Sequence, residues 1–122
     1  MLLSGCAKQI AFRSLPLAGR GKANVRIELT YNRNDILNVR LSEIPDPSTI
    51  NSQFTRYVLW VATPDRQYIT NVGQLRVDER GRADMVTLTP MRRFILFITA
   101  EPHGEVRTPG PDLLFETEEI FW

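Results

Sequence analysis

The residue types that carry most enzyme chemistry are scarce in this chain and lie far apart. His103 is the only histidine and Cys6 is the only cysteine. A histidine base needs a nucleophile and an orienting acid that converge on it, and a zinc site needs several closely spaced ligands. The proline- and glycine-rich segment around His103 predicts a solvated loop residue instead. We therefore expect no catalytic residue, no metal site and no cofactor.

Carboxylates group in two places, Asp78 with Glu79, and Glu116 with Glu118 and Glu119. Paired carboxylates hydrolyse glycosides when a cleft sets their separation. Here the first pair falls in a turn and the second group lies near the end of the sequence, where solvated charges are the ordinary outcome. The sequence lacks the loop pattern of an EF-hand calcium site. These residues predict surface charge, and we expect the protein not to be an enzyme.

The overall charge argues against nucleic acid as a partner. The 122 residues carry 15 basic and 14 acidic side chains, for a net charge of +1. Thirteen of the basic residues are arginines scattered along the chain, with Arg92 and Arg93 the only adjacent pair. A protein that neutralises phosphates shows a clear positive excess. The length allows one domain with one core.

Period-two alternation and turn residues predict strands through most of the chain. Residues 24–31, NVRIELTY, place Val25, Ile27, Leu29 and Tyr31 on one face, as a half-buried strand requires. The turn NRND leads into a second alternating stretch, so the two form a hairpin. Uninterrupted apolar runs at residues 57–62 and 94–98, the second within a strand expected at residues 94–100, predict strands that are covered on both sides.

Shorter strands are predicted at residues 74–77, 83–88 and 113–117, with Gly81 in a turn that needs a positive φ. A long proline-rich loop covers residues 101–112. Seven or eight short strands at about ten-residue spacing predict an all-β fold, an antiparallel immunoglobulin-like β-sandwich. A small barrel is the alternative.

Aromatic side chains have separate expected roles. Trp60 is predicted to fill the core between the two sheets, with Tyr57 on the opposite face of the same strand. Tyr68 and Trp122 are the best candidates for exposed aromatics. The apolar end of the sequence, Ile120 to Trp122, is expected to pack on the edge of the domain rather than to meet a partner.

The stretch Leu3-Ser4-Gly5-Cys6 resembles the lipobox of bacterial lipoproteins, in which the cysteine becomes lipidated and N-terminal. The resemblance implies a lipid on Cys6 and attachment to the membrane, which requires at least two anchoring signals such as several acyl chains. Only Met1 and Leu2 precede the box, so we expect the rest of the secretory signal to begin upstream of Met1. Residues 1–8 are then a tether, and residues 9–122 one sandwich domain.

A second resemblance rests on the strand Tyr57-Val58-Leu59-Trp60, the stretch Gly73-Gln74-Leu75, the strand end Thr99-Ala100-Glu101-Pro102 and the turn Thr108-Pro109-Gly110-Pro111. Together these look like the extracytoplasmic β-domain of RskA-type anti-sigma factors. The sequence contains neither the helical sigma-binding domain nor the membrane helix of that family. The resemblance therefore implies a fold and an extracytoplasmic compartment, and not sigma-factor binding.

Two functions from different classes follow. The first is a non-catalytic module of the cell envelope, lipid-anchored on the periplasmic or extracellular face, that binds an envelope protein through its sheet edges and the 101–112 loop. The second is a small-ligand or carbohydrate-binding sandwich, which requires exposed aromatics or a concave sheet face. The oligomeric state is left open by the sequence.

Overall fold

The computed structural model describes residues 7–32 and 34–121, which form a β-sandwich of two antiparallel sheets. The strands are β1 (Ala7–Ala11), β2 (Arg13–Ser14), β3 (Lys22–Glu28), β4 (Asp35–Ser42), β5 (Arg56–Ala62), β6 (Ile69–Leu75), β7 (Ala83–Thr89), β8 (Arg93–Glu101), β9 (Leu113–Glu116) and β10 (Ile120–Phe121). One-turn 3-10 helices occupy Pro16–Ala18 and Pro47–Thr49. The prediction of an all-β sandwich is confirmed, and the two sheets do not close into a barrel.

The four-stranded sheet has the order β1-β3-β4-β7, and the six-stranded sheet has the order β2-β9-β8-β5-β6 with β10 also paired to β8. The run β9-β8-β5-β6 corresponds to the strands G, F, C and C′ of an immunoglobulin variable-type sheet. The other sheet is built differently, because β3 and β4 are consecutive strands that pair with each other as a hairpin.

The β3–β4 hairpin confirms the predicted alternation. Val25 and Ile27 are fully buried between the sheets, while Arg26 between them is exposed. The prediction for Tyr31 is wrong, because β3 ends at Glu28 and Tyr31 is fully exposed. The turn starts earlier than the alternation implies, since the Thr30 hydroxyl closes it by donating to the backbone carbonyl of Asn34 at 2.6 Å.

Strands β5 and β8 are neighbours at the centre of the six-stranded sheet, with Leu59 opposite Ile98. Both are buried on both faces, as their uninterrupted apolar runs predict. Inward-facing residues of both sheets form the main core. The outward residues of β5 and β8 belong to a second apolar cluster on the far side of the sheet.

The strand predicted at residues 74–77 is misplaced, since β6 runs from Ile69 to Leu75. A register shift opposite Leu59 and Trp60 breaks its alternation, so period two does not reveal it. Gly73 beside the shift has φ +146°, and a Cβ there would overlap the methyl group of Met85 from β7. The missing side chain lets the two sheet edges meet.

The first strand also begins earlier than expected. Ala7 and Lys8, which the sequence assigned to a tether, pair with Glu28 and Ile27 as part of β1. Among the described residues of the expected 1–8 tether, Ala7 and Lys8 therefore belong to the sheet. Neither of the short helices in the described ranges is long or apolar enough to cross a bilayer.

Candidate functional site: the outer faces of the two sheets

The outer face of the six-stranded sheet, called here the covered face, is apolar and hidden. It consists of Val58, Trp60 and Ala62 on β5 with Ile95 and Phe97 on β8, and all five are buried. Val106 from the loop between β8 and β9 packs against this cluster. The predicted position of Trp60 between the sheets is wrong. Because Tyr57 faces the main core and Trp60 faces outward, the two do lie on opposite sides of β5.

A chain of hydrogen bonds ties the loop to the covered face. Trp60, which stacks on Phe97, donates from Nε1 to the Thr99 hydroxyl at 2.8 Å. Thr99 donates in turn to Glu101 Oε2 at 2.6 Å, and the same oxygen accepts the backbone N–H of Gly110 at 2.8 Å. Glu101 is only 3% exposed, so its carboxylate serves the loop and not solvent.

The first half of the loop is held from the neighbouring edge strand. Asn71 on β6 donates from Nδ2 to the backbone carbonyls of Gly104 and Val106, both at 2.9 Å. The predicted contact loop at residues 101–112 is therefore fastened to the sheet at both its halves. Among its side chains, His103, Glu105 and Arg107 still reach solvent.

The outer face of the four-stranded sheet, called here the open face, has no comparable loop over it in the described residues. Its middle row is Gln9, Arg26, Asn38 and Val86, one residue from each strand in register. Along β7 the outward side chains are Asp84, Val86 and Leu88, and the latter two are 63% and 54% exposed. Tyr31 and the half-buried Ile36 lie beside Leu88 and extend the apolar end of this face.

Strand β7 is also an edge. It pairs only with β4, and no backbone hydrogen bond reaches its other side from the described residues. Natural edge strands are usually shortened, bulged, covered, or marked with lysine or proline. β7 has seven residues without a register shift and contains neither lysine nor proline. By contrast, the edge strand β6 carries a register shift and holds the loop.

The histidine is an exposed loop residue, as the sequence predicts. His103 is exposed in the loop, and its Nδ1 accepts the backbone N–H of Glu105 at 3.2 Å. Within residues 7–32 and 34–121, no group of three or more histidine, cysteine, aspartate or glutamate side chains could hold a metal ion.

The carboxylates have structural partners. Asp78 accepts the backbone N–H groups of Arg80 and Arg82 at 2.8 and 2.9 Å, and the bond from Arg82 is the main cause that lowers its pKa. Glu116 forms ion pairs with Arg13 and Arg66, and Glu119 pairs with Arg93. Glu79 and Glu118 are exposed.

The remaining aromatic residues divide between packing and exposure. The Tyr57 hydroxyl donates to the carbonyl of Pro45 at 2.8 Å, and burial, with the nearby Asp46 carboxylate adding to it, raises its pKa. Tyr68 is 73% exposed, as expected. Of the apolar end expected to pack on the domain, Ile120 is buried and pairs with Phe94 of β8, whereas Phe121 is 53% exposed. Cys6 and Trp122 lie outside the described residues.

No protein-family model, curated protein or solved structure matches this chain. The open face, and β7 in particular, is the surface that reasoning from the sequence missed. The alternation of residues 83–88 puts Val86 and Leu88 on one face of the strand, but their apolar character would place that face inward, so the sequence did not mark them as exposed. Only the sheet order shows that the strand carrying them is an edge.

Proposed function

We propose that this protein is a non-catalytic interaction module of the bacterial cell envelope that binds a protein partner along β7. The observation that carries the proposal is an edge strand that pairs on one side only, borders β6 of the other sheet at Met85, and exposes its apolar outward side chains Val86 and Leu88. The lipobox-like sequence at Cys6 supports the compartment. Exposed apolar surface next to a free edge is typical of a protein-binding site.

The mode of binding is addition of a strand from the partner. A free edge offers backbone N–H and C=O groups that an extended segment pairs with, and the alternate side chains supply specificity. Asp84, Val86 and Leu88 lie along the strand at every second position, so the partner strand meets one charged and two apolar side chains. The 101–112 loop is the weaker candidate because its backbone is already engaged by Asn71 and Glu101.

The sheet order fits an anchored module. β1 starts at Ala7, directly after the proposed lipid attachment at Cys6, so the lipid holds the β1 side of the sandwich at the bilayer. β7 is the opposite edge of the same sheet, three strand spacings or about 14 Å away. The free edge therefore projects away from the anchored side.

Site-specific photo-crosslinking in the native host tests the binding surface. A photoreactive residue at position 88 is expected to give one discrete adduct with another protein, and Val86→Lys in the same chain is expected to abolish it. The matched control is position 70, since Thr70 is exposed on the other edge strand β6. An adduct with the mass of two copies of this chain, or equal adducts from positions 70 and 88, would contradict the proposal.

The anchor has its own test, the intact mass of the N-terminal peptide of native protein. We expect a mature chain that begins at a diacylated Cys6. A chain that begins at Met1 with a free thiol would contradict the envelope assignment but leave the β7 surface open to test.

A further inference from the structure

A polar cavity of about 640 Å³ opens at the end of the open face away from Tyr31. Three arginines line it, Arg40 on β4, Arg76 after β6 and Arg82 before β7. Arg40 is far from the other two in the sequence, whereas Arg76 and Arg82 flank one turn. The pairing of Leu41 with Ala83 and the turn at residues 78–82 bring them together.

The three arginines of this cavity outnumber its two carboxylates, Asp78 and Asp84, and only one ion pair forms between them among the described residues. The side chains of Arg40 and Arg76 make no ion pair or hydrogen bond with any described residue. Arg82 Nε lies 4.0 Å from Asp78 Oδ2, and both side chains are more than half exposed, so this pair is weak. The other oxygen of Asp78 is already bound to two backbone N–H groups of the turn.

The rest of the lining carries groups that bind hydroxyls. Asn24 and Ser42 line the cavity beside the arginines, and Asp84 stands opposite Arg40 in the β4–β7 register. The Asp84 carboxylate is not within ion-pair distance of any described cation. The volume lies within the range of about 300–1,000 Å³ of small-molecule sites. The lining is polar, which disfavours a hydrophobic ligand.

We propose that this cavity binds an acidic sugar, a saccharide unit that carries a carboxylate or a phosphate. Planar guanidinium groups bind either oxyanion through two parallel hydrogen bonds. Asn24, Ser42 and Asp84 accept or donate hydrogen bonds to the sugar hydroxyls. Inorganic phosphate alone leaves these three residues without a ligand, and a neutral sugar leaves the arginines without one.

This inference does not depend on a partner at β7. The cavity uses none of the exposed apolar residues Val86, Leu88 and Tyr31. Each proposal can therefore fail while the other holds.

The test is an NMR titration of the uniformly 15N-labelled chain with four probes: glucuronate, glucose 6-phosphate, glucose and inorganic phosphate. We expect saturable shifts of the Arg40, Arg76 and Arg82 Nε–H signals and of the amides of Ser42 and Asp84 with one or both acidic sugars. Glucose and inorganic phosphate are expected to bind at least tenfold more weakly.

Arg40→Gln and Arg76→Gln are each expected to weaken binding of the acidic sugar by about tenfold or more, since hydrogen bonds to charged groups are among the stronger ones. Arg20→Gln is the matched control, because Arg20 is exposed and lies outside this cavity. Urea unfolding of each variant checks that the fold is retained.

Three results would overturn the proposal. The first is the absence of saturable shifts at these three arginines with either acidic sugar. The second is shifts that survive both substitutions unchanged. The third is equal affinity for inorganic phosphate, which would make the cavity a site for a small oxyanion and not for a sugar.

Discussion

The two outer faces of this sandwich differ in how much of their surface the chain itself uses. On the covered face, Trp60 and Phe97 stack beneath a loop that Glu101 and Asn71 hold by hydrogen bonds. On the open face, Val86 and Leu88 stand in solvent on an unpaired edge. The first face contributes to the stability of the fold, and the second is available for binding.

The comparison also separates two kinds of charge. The buried Glu101 carboxylate accepts hydrogen bonds from the Thr99 hydroxyl and the Gly110 N–H of its own chain. Arg40 and Arg76 on the open side of the molecule have no partner among the described residues. Substitutions on the covered face should therefore change the free energy of unfolding, whereas substitutions on the open face should change binding.

The largest effect is expected for Trp60→Ala, which removes the aromatic centre of the covered face. Truncation of a buried tryptophan costs about 3–5 kcal/mol of the free energy of unfolding, and Trp60 is fully buried. Urea unfolding followed by circular dichroism measures the loss. Tyr68→Ala, which removes an exposed aromatic, is the control and should change it by less than about 0.5 kcal/mol. Equal losses in the free energy of unfolding for Trp60→Ala and Tyr68→Ala would contradict the stabilising role of the covered face.

Glu101→Ala should destabilise the protein by about 2–3 kcal/mol, because the Thr99 hydroxyl and the Gly110 N–H each lose an acceptor in a buried setting. The loop should also detach from the sheet, so trypsin is expected to cleave after Arg107 faster than in the wild-type chain. Glu105→Ala, in the same loop but exposed, is the control. Unchanged cleavage after Arg107 would show that the hydrogen bonds do not hold the loop.

Acid should loosen the turn beside the arginine cavity while the central strands stay paired. Asp78 has a pKa lowered by the N–H of Arg82, so its contribution is present above the unfolded pKa of about 4 and is lost as the pH falls through the lower folded value. Amide exchange of Arg80 and Arg82 should rise below about pH 4 relative to the amides of β5, whose strand pairs with β6 and β8 through its backbone. Asp78→Asn should flatten this dependence. A parallel rise throughout β5 would contradict it.

The smallest effect on stability is expected for Val86→Lys and Leu88→Lys. Both side chains point to solvent, so each change should alter the free energy of unfolding by no more than about 0.5 kcal/mol. Lysine on an edge strand also discourages pairing with another strand. Each variant should therefore fold normally and yet lose the crosslink from β7, measured from position 88 for Val86→Lys and from position 86 for Leu88→Lys. A loss of several kcal/mol would place these side chains inside a packed surface instead.

Local sequence pattern was sufficient to predict the parts of the fold whose burial repeats along the strand. The alternation of residues 24–28 and the apolar runs of β5 and β8 led directly to buried strands. Local pattern was insufficient for β6, because a register shift disrupts the two-residue alternation of that strand. It was also insufficient for Trp60, since a strand with two apolar faces does not show which face lies between the sheets.

The candidate sites depend on sheet order, which no local pattern contains. The edge position of β7 follows from the pairing of β4 with both β3 and β7. The arginine cavity combines residues 40, 76 and 82, which read as scattered charges in the sequence. Such sites are visible only when distant segments are placed side by side.

Hydrogen–deuterium exchange of the purified protein, alone and with the partner recovered by crosslinking at position 88, tests the central claim most directly. Strand addition predicts slower exchange in residues 83–89 on binding and no change in residues 102–112, where the loop is already held. Protection confined to residues 102–112, with β7 unchanged, would contradict the account and make the loop over the covered face the binding surface.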